Sequence, residues 1–307
     1  MSNGEDQITE WFRRRRELDP ADFPIGIGDD MAQIQLAPDT SILITTDMLL
    51  DGVHFDLRTA TLKQVGYKAM AVNLSDCAAM ATIPVAAVAA VALPEHFGKK
   101  ELKQLHCGII TAADKFGCEL VGGDINKWKG RKPFAISVAM LSRTAANKPV
   151  RRSGAKVGDS ICVTGSLGGS GYGKHLKFQP RIKEAIKIAQ MVTLNAMIDI
   201  SDGLSSDLNR ICHQSKVGAV IDAKHIPISD QARKSKDPLS SALNDGEDFE
   251  LLFTLSEKDC EILLKQWDGP LTVTRIGTIT DTGKMQIKTV NGKINNLRIK
   301  GYDHLKD

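Results

Sequence analysis

A chain of 307 residues, 42% hydrophobic and 25% charged, has the length of about two ordinary domains and the composition of a soluble globular protein, which excludes disorder and collagen. The balance of 40 Lys+Arg against 37 Asp+Glu leaves a net charge of only +3, too small to argue for a nucleic-acid surface. No apolar run approaches the roughly 18 residues of a membrane span, and the opening MSNGEDQITEWFRRRRELD is charged from the start, unlike a signal peptide, so the reading is a cytoplasmic protein with no membrane partner.

The basic run 13–16 falls on an early helical segment and reads as a solvated helix face. Residues 41–46 (SILITT) form a short apolar strand, and 61–80 have helical spacing with many alanines. A buried strand at 85–93 and an amphipathic helix at 99–116 follow. Residues 119–121 lead into Gly122-Gly123-Asp124, and 134–142 form another strand. The stretch 144–158, rich in Pro, Lys, Arg and Gly, has no period. It places a domain boundary near residue 150, dividing the chain into 1–148 and 149–307.

The second half repeats the style. A strand at 160–164 ends in a glycine-rich turn, and a helix spans 182–193. A short strand at 197–200 feeds a helix from Asp202. Strands at 249–255 and 273–279 flank a helix at 257–266, and Asn291-Gly292 marks a hairpin. The fold class is α/β (α+β) in two halves of similar size. The six cysteines are scattered with no CxxC pair, so they read as buried thiols rather than a zinc site or a disulfide scaffold.

Carboxylates recur where strands end or helices begin: Asp29 and Asp30 in PIGIGDD, Asp47 in ILITTD, Asp124 in LVGGD, Asp199 and Asp202 in MIDISDGLSSD. Each alone reads as a cap or turn residue, and for Asp202 a helix N-cap and a site role stay equally open. Asp76 differs, because it stands among alanines inside a helix. A buried acid must be paired or must bind a cation. A mildly basic chain that gathers such acids points to a metal, and oxygen ligands without nearby His or Cys favour magnesium over zinc. Magnesium on carboxylates usually accompanies a phosphorylated substrate.

Two glycine-rich places qualify as phosphate contacts. Gly122-Gly123 lets a backbone approach a ligand closely. GSLGGSGYGK matches half of a P-loop, but His175 replaces the Ser or Thr that ligates magnesium and Pro180 interrupts the helix that should follow. A flexible connection is the preferred reading there. His54, in DGVHF, lies near Asp47 and is a substrate contact or a solvated loop residue. Arg152 and Lys156 in RRSGAKVGD face a polyphosphate or line a linker. Glu247 and Asp248 in NDGEDFELLF grip a cationic substrate or form a turn.

Taken in order, PIGIGDD, TTD with DGVHF, AVNLSDCAAM, LVGGD, RRSGAKVGD, DISDGLSSDL, GEDFELLF and KGYDH resemble the bacterial thiamine-monophosphate kinases. That family stands in the superfamily of aminoimidazole ribonucleotide synthetase, selenophosphate synthetase and the hydrogenase-maturation dehydratase. The resemblance spans residues 5–304. It implies a two-domain aminoimidazole-ribonucleotide-synthetase-like fold, N-terminal sheets pairing in a homodimer, and ATP in a cleft between the domains. The reaction implied is transfer of a phosphoryl group from ATP directly to thiamine monophosphate, giving thiamine diphosphate. Carried over by motif, Asp30, Thr45, Thr46, Asp47, Asp76, Asp124, Asp199 and Asp202 would hold magnesium ions. Gly123, Asp124, Arg152 and Ser201 would contact ATP, and His54, Glu247 and Tyr302 the thiamine phosphate. No side-chain nucleophile is implied. Such transfer needs alignment and charge neutralisation, and a cationic ring suits a carboxylate and an aromatic face.

The chain departs from this family at 165–173, where glycines replace a longer, partly helical segment. Two alternatives therefore stay open: a superfamily enzyme with another acceptor, and a nucleotide-binding paralogue without turnover.

Overall fold

The alanine-rich stretch is apolar on almost every side, and such a helix is a buried one. In the computed structural model, which describes residues 4–15 and 18–305, it forms α2 (Leu62–Ala79). Thr61 and Gln64 start α2 with reciprocal capping bonds, and most of its length is buried. The other helices, numbered in chain order, are α1 (Gly4–Arg15), α3 (Lys99–Ala113), α4 (Ile182–Met191), α5 (Leu204–Ser215), α6 (Pro238–Asn244) and α7 (Glu257–Gln266). No helix among the described residues is long and apolar enough to cross a membrane.

The first sheet contains β1 (Ala32–Ala37), β2 (Thr40–Leu50), β3 (Thr82–Leu93), β4 (Glu119–Lys127) and β5 (Ala135–Thr144), in the order β1-β2-β5-β3-β4. Only the β3–β4 pair is parallel. The second contains β6 (Ser160–Thr164), β7 (Leu194–Asp199), β8 (Gly218–Asp222), β9 (Leu251–Leu255), β10 (Val273–Thr280), β11 (Met285–Lys288) and β12 (Ile294–Asn296). Its order is β12-β11-β8-β10-β6-β9-β7.

α2 joins the two halves. It packs on α3, β2 and β5 of the first and on α4 and β7 of the second. One apolar core follows it across the junction, from Leu74 and Met140 to Met197 and Phe253. A second core, with Ile198, Leu208 and Ile276, stays within the second half. Ile44, Met48, Val88, Val121 and Ile125 are left exposed on the first sheet.

Most expected elements form, with shifted ends. β2 runs on to Leu50 and β4 to Lys127, so Asp47 and Asp124 stand inside strands rather than at their ends. β1 and β8 are not legible from pattern, because short apolar runs carry no clear period. The Asn291-Gly292 hairpin joins β11 and β12 as expected. Of the six free cysteines, Cys107 is exposed rather than buried.

The largest correction falls on the glycine-rich segment after β6, which is not a loose connection. It folds into two 3-10 turns, Ser170–Tyr172 and Lys174–Leu176. Gly168 and Gly169 are left-handed (φ +83° and +86°), and a Cβ on either would stand within 2.8 Å of a backbone nitrogen, that of Ala242 or Ala232. Only glycine fits there. A P-loop is excluded, since no helix follows directly and Lys174 is held by Asp248.

Candidate active site

α2 crosses the junction with Ser75 and Asp76 near its C-terminal end, and β7 of the second half stops at Asp199. Ser75 Oγ donates to Asp199 Oδ2 at 2.5 Å, which ties the two domains. Beside this contact, one carboxylate oxygen each from Asp30, Asp76 and Asp199 lie within 4.8 Å of one another. Thr45 and Asp47 share the face of β2 turned toward α2. Thr45 Oγ1 donates to Asp76 Oδ2 at 2.6 Å, and Asp47 shares a hydrogen bond with Asp76.

The acids disfavour one another's charge. Burial first, then the charges of Asp30 and Asp202, push Asp47 up to about 6. Burial and neighbouring acids hold Asp76 and Asp199 well above the carboxylate range. Arg152 offsets part of this, gripping Asp30 through Nη2 (2.7 Å) and Nε (3.1 Å). The neighbouring Asp29 instead accepts from the Arg152 backbone N–H at 2.7 Å and serves the interdomain link.

These acids open onto a cleft of about 1740 Å³ that also receives Ser201, Asp202, His54, Glu247, Tyr302 and His304. Its far wall is organised by Arg210, which bonds Asp202 (2.5 Å), Asp207 (2.7 Å) and Asp6 of α1 (3.1 Å). Asp202 is therefore not the cap of α5. Gly203 holds that position, and the Asp207 carboxylate accepts the N–H groups of Asp202 and Gly203. Tyr302 and His304, from the C-terminal tail, form an edge contact at 4.6 Å, and His304 lies 5.3 Å from His54. Burial lowers the pKa of His54, against the pull of Glu247.

Glu247 is not a free carboxylate awaiting a cation. Lys68, a fully enclosed lysine of α2, donates to Glu247 Oε1 and to the His54 carbonyl. Removing an ammonium from water costs several kcal/mol unless it is paired, so the pair accounts for Lys68 being where it is. Glu247 and Phe249 both have positive φ (+53° and +51°), a strain of roughly 1–3 kcal/mol each.

Gly123 and Asp124 stand apart from this cleft. They lie on the edge strand β4, and Asp124 accepts from Asn126 Nδ2 at 2.5 Å. The close approach that demands glycine at 123 is to the β3 backbone: a Cβ would sit 2.0 Å from the Ala89 oxygen. Thr46 lines the cleft, but its hydroxyl turns to the Val138 carbonyl (3.1 Å) on β5. Of the basic run, Arg13 and Arg14 pair with Glu10, and Arg16 lies outside the described residues. Ser75, Lys68, Arg210, Asp207 and His304 were missed in the sequence. Only Lys68 carried a signal, as a charged residue in the alanine-rich helix that also holds Asp76.

Both halves of the chain match one superfamily: the family model for AIR synthase related protein, N-terminal domain, covers residues 28–144 and that for the C-terminal domain residues 156–290. A thiamine-monophosphate kinase of Rhodopirellula baltica is 36% identical over 305 residues, covering 95% of each chain. That of Escherichia coli K12 is 32% identical over 333 residues, covering 99% of each. The latter alignment is longer than this chain, which therefore lacks residues that the E. coli protein has. A solved structure of AaThiL complexed with AMPPCP and TMP superposes with a TM-score of 0.83 at 30% identity, covering 99% of this chain and 97% of that one. The chain belongs to the AIR synthase related family and, within it, to the thiamine-monophosphate kinases.

Proposed function

We propose that the chain transfers the γ-phosphoryl group of ATP directly to the phosphate of thiamine monophosphate, yielding ADP and thiamine diphosphate. The observation that carries this reading is the junction of Asp30, Asp76 and Asp199 in one cleft with His54, Glu247 and Tyr302. Membership of the kinase family and the presence of AMPPCP and TMP in the AaThiL complex support it. In this reaction the acceptor phosphate supplies the attacking oxygen. One P–O bond forms as the bond to the β,γ-bridging oxygen breaks, and the protein forms no covalent link.

Magnesium fits the donor set, which is all hard oxygen and short of positive charge. Asp30, Asp47, Asp76, Asp199 and Asp202, with Thr45 and Thr46 beside them, would hold it, and it would neutralise the phosphate oxygens of the nucleotide. We assign Arg152 and Ser201 to the nucleotide phosphates. His54 and Tyr302 take the acceptor, with Glu247 facing its cationic ring while Lys68 holds the same carboxylate. Asp124 and Gly123 join the nucleotide side only if assembly or closure brings β4 to the cleft.

The exposed apolar residues of the first sheet support a homodimer formed through that sheet; the domain division at 148/149 and a cytoplasmic location are part of the same proposal. Sedimentation as a monomer at micromolar concentration would refute the dimer.

The direct test is ADP formation with and without thiamine monophosphate. Dependence on the acceptor and on magnesium is expected. Tight magnesium–ATP binding without acceptor-dependent turnover overturns the kinase reading and leaves the non-catalytic paralogue.

A further inference from the structure

Glu247, Asp248 and Phe249 form a turn whose shape is unfavourable by itself, with two non-glycine residues in the left-handed region. Such strain persists where the surroundings over-determine it, and it gathers at functional sites. Here the surroundings come from both domains. From the first, Lys68 Nζ donates to Glu247 and to the His54 carbonyl. From the second, Lys174 Nζ donates to Asp248 Oδ1 at 2.6 Å, while the Gly168 N–H donates to both Asp248 oxygens at 2.8 and 2.9 Å. Phe178 stacks on Phe249 with ring centres 4.0 Å apart. Lys174, Gly168 and Phe178 all belong to the segment around the shortened 165–173 stretch.

We infer that Lys68 and Lys174 are positioning residues for the phosphoryl acceptor: from opposite sides they fix the turn that presents Glu247 to the cleft. The inference rests on the assignment of Glu247 and His54 to the acceptor. Neither lysine bonds an acid of the Asp30–Asp76–Asp199 cluster; their partners are His54, Glu247, Ser166 and Asp248. Loss of either lysine should therefore weaken the acceptor and spare the nucleotide. The shortened segment then has a role of its own, because its left-handed glycines bring a backbone N–H and a lysine onto Asp248.

The test is steady-state kinetics of the full chain with thiamine monophosphate and ATP varied separately. Lys174→Met is expected to raise the KM for thiamine monophosphate at least tenfold and to change that for ATP less than twofold. Lys174→Arg should recover most of the loss, since it restores the charge on Asp248. Lys68→Met should show the same split; where it fails to fold, Lys174→Met carries the test alone. Equal rises in both KM values, or a fall in kcat alone, would reduce these residues to supports of the fold. A wild type that makes no ADP from thiamine monophosphate instead overturns the acceptor assignment, and this inference with it, before any variant is read.

Discussion

Asp30, Asp76 and Asp199 face one another at the domain junction with one cation, Arg152 on Asp30, and hydroxyls of Thr45 and Ser75 on the other two, whereas the acids of the run 245–250 are matched by two lysines, an arginine and backbone N–H groups. The Gly169 N–H serves Asp245, Lys68 serves Glu247, Lys174 and Gly168 serve Asp248, and Arg181 forms a two-point contact with Glu250. In the first region neighbouring charge adds to burial and pushes Asp76 and Asp199 up. In the second, Lys174 opposes burial at Asp248, which still rises to about 6 because burial is the larger effect. The same residue type thus serves two ends. The Asp30–Asp76–Asp199 group, in which Arg152 bonds Asp30 alone of the three, has the oxygen-rich character that suits a further cation, and the donors matched to the run 245–250 hold the turn that presents Glu247.

The sharpest way to break this contrast is to remove an acid from each region. Asp76→Asn should lower kcat/KM about 100-fold or more, as expected when electrostatic stabilisation of the reacting groups is lost. The metal-free protein should melt no lower than the wild type, because repulsion is relieved. A variant retaining activity within tenfold would take Asp76 out of the site.

In the matched region the expectation reverses. Glu250→Gln strands the Arg181 guanidinium, which is 20% exposed, and should cost about 3 kcal/mol in urea unfolding. A loss below about 1 kcal/mol would show that the pair is surplus to the scaffold.

The smallest effect is in pH. Asp47 binds its proton more tightly in the folded protein (about 6) than in an unfolded chain (about 4). The folded state therefore holds more protons in that window, and stability of the metal-free protein falls as pH rises through it. The fall is about 2–3 kcal/mol for this group and continues upward through Asp76 and Asp199. Millimolar magnesium should flatten the slope by replacing the protons, while the part due to Asp248 persists. Calorimetric scans with chelator and with magnesium test this; an identical slope in both would mean that the cluster does not bind the ion.

Much of the site was legible because its motifs are local. Asp30, Asp47, Asp76, Asp199 and Asp202 stood out as acids beside apolar strands or within a helix, and the structure gathers them in one cleft. Asp124 carried the same signal and lies elsewhere, since its strand is at the sheet edge. Gly123 makes its close approach to the β3 backbone. The segment 165–173 looked flexible because glycine permits many backbones; the left-handed conformations it adopts are decided by Ala242 and Ala232, which pack against it.

By itself the sequence determined the alternation of strands and helices, the helical, alanine-rich character of α2 and the oxygen-rich chemistry of the site, because periodicity and side-chain chemistry act over a few residues. Only the tertiary structure decided which acids meet one another and which meet a cation. The bonds that hold these acids span the chain, from the Ser75 hydroxyl to Asp199 across 124 residues and from Lys68 to Glu247 across 179. A carboxylate's charge is set by the groups within a few ångströms of it, and the chain brings those groups together only when it folds.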